Sequence, residues 1–510
     1  MKEKRRKLPK AAPPSDSDTD DGAETSSNDE TKKGSGNSTL TICERARILW
    51  LQNATKREDL NTVEDLYRRA LNAKKEVLTK ATKSKDHQSH KRKRNLVRKT
   101  VAALSPEEYR KAGERLSLLY LQSGRPYKAT VGLKYLGFEC RLSERVLNYP
   151  ASFPSQPKKH NKQKQKQKRK KNQRDNTNHH DSALQQPPCC VVDDFLSPIE
   201  LRHLRKVFGD IHSSYWTYHN YIIDKEPPAP YFSYVIDLRE HRSSKSQKTK
   251  TPFLRRIIDK ILRSTEVAEQ FPILRRDARY VEMWAHNRPH ASGHQLHFDS
   301  DDEGRSRQQG FPNHPICSFV LNVSSHARVG GPTLVTNQRL RNPETTNLQS
   351  VRGWLVPSWP SRMVCFDGSV LHGVIPGKGC IPEPQEDELG KLSTPRRVTL
   401  MMAFWKDIKV RKGSGPGSAR PWPSPEEYPD KLPVWVKELN RSDVYSEGSS
   451  SPIVNATTTH INRLEHAQIV PVHRVYELLD GSPVPKYYND ENSGGEVYYM
   501  PEYDKVFQGF

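Results

Sequence analysis

The chain has 510 residues and carries 83 Lys and Arg against 60 Asp and Glu, a formal net charge of +23. Its apolar residues make up 34% and glycine adds 27 positions, short of the roughly 45 to 50% of an ordinary globular chain, so a good part of the length is expected to stay outside any packed core. The charge calls for anionic partners, and no apolar run approaches the roughly 18 residues of a membrane span, so neither a membrane nor a secreted protein is expected.

Residues 1–40 open on a basic run and turn into SDSDTDDGAETSSNDE, with seven acids between Ser15 and Glu30. That composition predicts a disordered tail. From 41 to 150 the pattern is helical: Val63, Leu66, Tyr67, Ala70, Leu71, Val77 and Leu78 recur at helical spacing and form one apolar stripe. Ser105, Pro106, Glu107 and Glu108 spell a capping box with Pro at the first helical position, and Gly124 can end that helix. A second helix over Lys128 to Phe138 would complete an antiparallel hairpin, similar to one or two tetratricopeptide-like units and read as a small docking module.

Two basic blocks interrupt this half. Lys80 to Lys99 holds nine Lys or Arg against one acid, and Lys158 to Arg174, within the basic linker 151–186, holds ten against none. The second block lies in a linker expected to be disordered. They read as solvated linkers, as nuclear-import signals, or as non-specific RNA attraction without aromatic stacking.

Composition changes at about residue 187. Cys190 to Phe195 reads as a strand, and Ser197 to Glu200 as a second capping box opening a helix with Leu201, Leu204, Val207 and Phe208 inward. Seven half-apolar runs follow, at 280–286, 316–323, 331–336, 353–356, 362–366, 370–375 and 397–405, separated by Gly, Pro and Asn clusters. They predict an all-β sandwich or barrel with helices in front. Residues 411–510 form a Pro- and aromatic-rich C-terminal extension holding Trp422, Trp435, Tyr476 and a run of later tyrosines.

The chemistry concentrates in GHQLHFDSDDEG. On a strand His297 and Asp299 share one face while Phe298 points to the core. His372, 75 residues on in CFDGSVLHGVIPG, supplies a third ligand. Two histidines and a carboxylate form the facial triad of non-heme Fe(II) oxygenases, with open coordination positions. Arg397 begins the strand RRVTLMMAFW, with Thr399 on its face, and its planar fork suits a small carboxylate deep in a barrel. Arg396 competes for that role, and the RxT spacing favours Arg397. His290 and His294 have the spacing of a helical zinc pair, but Pro289 and Gly293 break a helix there. Cys317 and Cys365 read as core thiols, and Gly330, Gly331 and Gly368 as turn residues.

Over about residues 187–410, from VVDDFLSPIE through HFD, GGPT and FDGSVLHGV to RVT, the chain resembles the 2-oxoglutarate and Fe(II)-dependent dioxygenases, in particular their prolyl-4-hydroxylase-like branch. The resemblance implies a double-stranded β-helix (jelly roll), His297, Asp299 and His372 on iron, and Arg397 with Thr399 on 2-oxoglutarate. It also implies O2 as oxidant, succinate and CO2 as products, and admits ascorbate as a reductant. Departures include His294, three residues before the first ligand where the family carries tyrosine, and the sequence Trp284, Ala285, His286 at the family's earlier strand tyrosine. IPEPQEDELGKLSTP lengthens the segment between His372 and Arg397. The expected activity is hydroxylation of a protein side chain, on a basic nuclear or ribosomal substrate suited to the acidic run Asp301, Asp302, Glu303, in the nucleus or nucleo-cytoplasm. The alternatives are oxidative nucleic-acid demethylation and a catalytically idle scaffold binding through its basic arms.

Overall fold

The structure is a computed structural model that describes residues 41–83, 105–150, 187–221, 231–239, 252–301, 312–340, 351–386, 392–411, 418–424, 432–441, 469–484, 486–487, 497–498 and 502–510. The expected disordered tail 1–40, the linker 151–186 and the basic block beyond Lys83 lie outside these residues, as do Asp302 and Glu303.

Helix α1 (Ile42–Ile48) starts at Thr41, whose hydroxyl accepts the Glu44 N–H at 3.1 Å. Helix α2 (Arg57–Lys83) buries Val63, Tyr67 and Ala70 along the expected stripe. Helix α3 (Pro106–Gln122) opens on the expected reciprocal cap: Ser105 Oγ accepts the Glu108 N–H at 3.1 Å, and the Glu108 carboxylate accepts the Ser105 N–H at 2.8 Å. Gly124, at φ +70°, turns the chain into α4 (Pro126–Tyr135). This helix starts two residues before Lys128 because Pro126 takes the first helical position, where a missing N–H costs nothing. A strand, β1 (Cys140–Leu142), and a short helix, α5 (Glu144–Leu147), follow.

In the second half, β2 (Cys189–Val192) leads to α6 (Pro198–Phe208), α7 (Ser214–Tyr218), β3 (Tyr234–Asp237), α8 (Phe253–Arg263), α9 (Thr265–Gln270) and α10 (Leu274–Asp277). The strands that follow are β4 (Tyr280–Pro289), β5 (His294–His297), β6 (Cys317–Asn322), β7 (Thr333–Arg339), β8 (Gly353–Val356), β9 (Met363–Asp367) and β10 (Val370–Val374). The polar insertion forms a small ribbon of β11 (Gln385–Glu386) and β12 (Leu392–Ser393) before β13 (Arg396–Trp405). The C-terminal stretch adds β14 (Arg420–Pro421), α11 (Val434–Leu439), β15 (Val470–Val472), β16 (Tyr476–Leu478), β17 (Lys486–Tyr487), β18 (Val497–Tyr498) and β19 (Val506–Phe507). Among the described residues no helix is long and apolar enough to cross a membrane.

Two large sheets result, one of seven strands in the order β14-β3-β4-β13-β6-β9-β2 and one of five in the order β15-β8-β7-β10-β5. Strand β13 shows how they are layered. Val398, Leu400, Met402 and Phe404 join a core with α6, α8 and α11, including Leu204, Ile257 and Trp435. Met401, Ala403 and Trp405 join a second core with Val335, Trp354, Val356 and Val370 of the five-stranded sheet. Period-two alternation therefore gives β13 one face toward helices and one toward the other sheet. The outer face of the five-stranded sheet, with Leu296, Leu334, Leu355 and Leu371, packs in a third core with Trp50, Tyr67, Leu118 and Leu133 of the N-terminal helices.

The helices of 41–150 thus share their core with the β region. Tyr149 OH donates to the Pro376 carbonyl at 3.3 Å and accepts the Lys378 N–H at 2.8 Å, which ties the segment to the loop after β10. The C-terminal extension enters the same structure. Strand β1 lies between β16, antiparallel, and β19, parallel. Buried Arg141 of β1 and Glu477 of β16 pair at 2.6 Å.

Candidate metal centre and its anion pocket

His297 closes β5, and His372 sits directly opposite it in β10. Nε2 of His297 lies 3.6 Å and Nε2 of His372 3.7 Å from Asp299 Oδ1. The donor atoms of all three residues fall within 4.8 Å of one another. These gaps exceed hydrogen-bond contact, and ligand atoms held about 2.1 Å from one ion sit at comparable spacing. Each imidazole is oriented by its other nitrogen: His297 Nδ1 donates to the Gln295 carbonyl at 2.8 Å and His372 Nδ1 to the Val370 carbonyl at 3.1 Å. Both Nε2 lone pairs are thereby turned toward the carboxylate, the arrangement metal-ligating histidines use. Ser318 on β6 donates to Asp299 Oδ2 at 2.6 Å and leaves Oδ1 for the centre.

His372 Nε2 is buried without a hydrogen-bond partner. An orphaned buried polar atom costs about 1 to 3 kcal/mol, and a cation held by the three donors removes that cost. Burial, helped by the neighbouring His372, holds the His297 imidazole down at about 4, so it is neutral and able to ligate at ordinary pH. The residues present fit a divalent metal.

Strand alternation alone does not deliver Asp299, because β5 ends at His297. The carboxylate follows the strand and is turned inward by the Ser318 hydroxyl, while Phe298 packs toward the helices as expected. His290 and His294 form no helical pair. His294 lies in β5, and His290 Nδ1 accepts the Gly330 N–H at 3.1 Å. Among the described residues the triad is the one cluster of this kind, and Cys317 and Cys365 are buried core thiols.

Arg397 and Thr399 share the inward parity of Met401. Arg397 is 3% exposed; it donates to Thr333 Oγ1 at 3.2 Å, and its Nε, like Thr399 Oγ1, is buried without a partner. Among the described residues no carboxylate pairs with it. Burial, and then the guanidinium of Arg288, push Arg397 down to about 10, which still leaves it charged at neutral pH. Arg396 has the opposite parity and binds the side chain and carbonyl of Asn287 at 2.5 and 3.0 Å. Gly330, at φ +73°, makes room for the inward arginine, since a Cβ there would stand 2.3 Å from Arg397 Cδ.

Sequence reasoning missed Arg288, and it marked His286 and His294 as departures without placing them in the site. In the β4–β13 register Arg288 lies opposite Arg397 and His286 opposite Thr399. Arg288 donates to the Gly293 carbonyl at 2.7 Å, and its Nε has no partner. Tyr221 OH contacts His286 Nδ1 at 3.2 Å. The rings of His286, His294, His297 and His372 follow one another at 5.5, 4.4 and 4.3 Å. Burial holds His286 and His294 well below the usual imidazole range, so both are neutral. The signal was present: continuing the strand alternation of Trp284 and His286 by two residues reaches Arg288.

No family model matches the chain, and no curated protein matches it. Among solved structures it is similar to a prolyl-4-hydroxylase from Pseudomonas putida, with 14% identity over 45% of this chain and 89% of that one and a TM-score of 0.22. An oxidoreductase of the 2OG-Fe(II) oxygenase family from Burkholderia pseudomallei shows 9% identity over 46% and 89%, with a TM-score of 0.22. HygX from Streptomyces hygroscopicus, with nickel and 2-oxoglutarate bound, shows 11% identity over 44% and 85%, with a TM-score of 0.21.

Proposed function

We propose that the chain is a 2-oxoglutarate-dependent Fe(II) dioxygenase built on a double-stranded β-helix. One observation carries the reading: a His, Asp, His cluster with an orphaned buried Nε2 shares an interior with a buried arginine that has no acid partner among the described residues. The strand order supports the fold, since β4-β13-β6-β9 in one sheet faces β8-β7-β10-β5 in the other, so that chain-consecutive strands of these eight alternate between sheets except at the β7–β8 hairpin. His297, Asp299 and His372 would hold Fe(II), which when bound supplies dioxygen activation coupled to decarboxylation of a 2-keto acid to succinate and CO2. Arg397 and Thr399 would receive the distal carboxylate of 2-oxoglutarate through the donor atoms left without partners. The apolar residues between the sheets, Val335, Trp354, Phe366 and Val370 among them, exclude water from that interior.

The substrate we infer is a side chain of a basic protein, nuclear or ribosomal, met in the nucleus or nucleo-cytoplasm. In support, the segment leaving Asp299 reads Ser300, Asp301, Asp302, Glu303, a run that repels phosphate, while the strongest basic blocks lie far from it in sequence. Those blocks would serve localisation or RNA association. The test is iron-dependent succinate release in parallel assays with basic protein extracts and methylated oligonucleotides. Stimulation by the extracts supports the reading, stimulation by oligonucleotides alone replaces it with nucleic-acid demethylation, and no turnover with any substrate supports the scaffold.

A further inference from the structure

We propose that Arg288 and Arg397 form a two-guanidinium clamp that takes one carboxylate between them, so that β4 and β13 bind the anion jointly. The inference deepens the co-substrate reading above and rests on it for the identity of the anion, a dicarboxylate.

The two residues are direct cross-strand partners, so their stems leave the same face of the sheet within about 5.5 Å of each other. Each guanidinium carries an Nε without a hydrogen-bond partner, and among the described residues neither is paired with a carboxylate. Two unlike sources of negative charge could have answered them, and neither does. Asp299 is committed to the two histidines and Ser318. Glu282 is on the same face of β4, but six residues from Arg288, about 20 Å along a strand, and it is bound by the Ser233 hydroxyl at 2.5 Å. The groups nearer the pair, His286, His294, Thr333, Thr399 and the Tyr221 hydroxyl beside Arg288, include no carboxylate.

The buried Arg397 and the half-buried Arg288 repel each other more strongly than two cations in water would, and arginine does not escape by losing its proton. A carboxylate between them converts that repulsion into two charge-assisted contacts. One terminal nitrogen of each fork is already anchored, which helps hold the forks still: Arg397 on Thr333 Oγ1 and Arg288 on the Gly293 carbonyl. Rigid forks lose little entropy on binding an anion.

The clamp does not need metal, which makes it testable apart from turnover. Glutarate, a dicarboxylate without a keto group, is titrated calorimetrically into the metal-free full chain. Wild type is expected to bind it, and Arg288→Gln and Arg397→Gln are each expected to weaken binding at least tenfold. Arg288→Lys should recover only part of the loss, since an ammonium has no planar fork. A ligand-free melting temperature that holds or rises in Arg288→Gln would show repulsion relieved, whereas a purely structural arginine would give a lower one. The clamp is overturned if Arg288→Gln stays within twofold of wild type while Arg397→Gln is tenfold weaker; should the glutamine variant not fold, the lysine variant is read against the same limits. Fe(II) titration separates this from the iron reading: with Fe(II) bound through His372 and no effect at Arg288, the clamp fails and the iron site stands. Glutarate bound by both arginines in a protein that takes no Fe(II) leaves the clamp standing and sinks the oxygenase.

Discussion

Leu296 donates its backbone N–H to Gln508 Oε1 at 2.9 Å, across 212 residues of sequence. Its carbonyl accepts the Tyr503 hydroxyl at 2.6 Å. Leu296 precedes the candidate ligand His297 on β5, an edge strand whose outer backbone groups would otherwise lack partners. The C-terminal segment therefore closes the open edge of the strand that carries the candidate ligand His297.

Gln508→Ala should weaken metal binding about tenfold while the chain stays folded, because outer partners that orient ligands are worth roughly 10- to 100-fold in affinity. Metal titration followed by circular dichroism checks it. Affinity equal to wild type would show that pairing with β10 alone holds β5.

His372→Ala should abolish binding of one Fe(II) per chain without unfolding the protein, since the ring it removes contributes one local hydrogen bond, from Nδ1 to the Val370 carbonyl, and none from Nε2. Ser318→Ala should act more mildly, lowering affinity by about 10- to 100-fold as Asp299 Oδ2 loses its donor. Full 2-keto acid turnover in His372→Ala would sink the triad.

Arg397→Ala should raise the requirement for 2-oxoglutarate by an amount worth about 2 to 5 kcal/mol, with Fe(II) binding intact. Arg396→Ala should leave that requirement alone and cost stability of about 1 kcal/mol, the worth of its contacts to Asn287. Reversed phenotypes would mean that the inner and outer faces of β13 have been exchanged.

Glu282 gives the fold a pH dependence. Burial dominates over the Ser233 hydrogen bond and raises its carboxyl to about 7 from an ordinary value of 4.5. The native state then holds a proton that the unfolded chain has released, so stability falls as pH rises from about 4.5 to 7 and levels off above that. In the metal-free protein Glu282→Gln should remove this slope and be more stable by about 1 to 3 kcal/mol at pH 8, read from urea unfolding at pH 5 and pH 8. Parallel curves for the two proteins would show that Glu282 is charged throughout.

Glu477→Ala should cost about 3 to 5 kcal/mol, because it strands the buried charge of Arg141. Thermal unfolding measures this, and a loss below 1 kcal/mol would mean that β1 and β16 are held by their backbone ladder and apolar contacts.

Caps, strand runs and the triad were legible because each is a local pattern. Ser105 with Glu108 and Ser197 with Glu200 close their boxes over three residues. The seven runs reappear as β4, β6, β7, β8, β9, β10 and β13, since alternation at period two is written residue by residue. His297, Asp299, His372, Arg397 and Thr399 could be named from spacing and side-chain chemistry. What spacing could not supply was which face is inside. Only the RxT spacing separates Arg397 from Arg396 until a second sheet covers one side of β13, and Arg288 joins Arg397 only through its register with it, 109 positions later. The aromatic C-terminal extension was unreadable for the same reason: β15, β16 and β19 are two or three residues long, too short for periodicity, and exist because β8 and β1 offer them unpaired edges. Local sequence determines where a strand or helix can form, whereas pairing partners and buried faces follow from long-range contacts that settle together when the two sheets close.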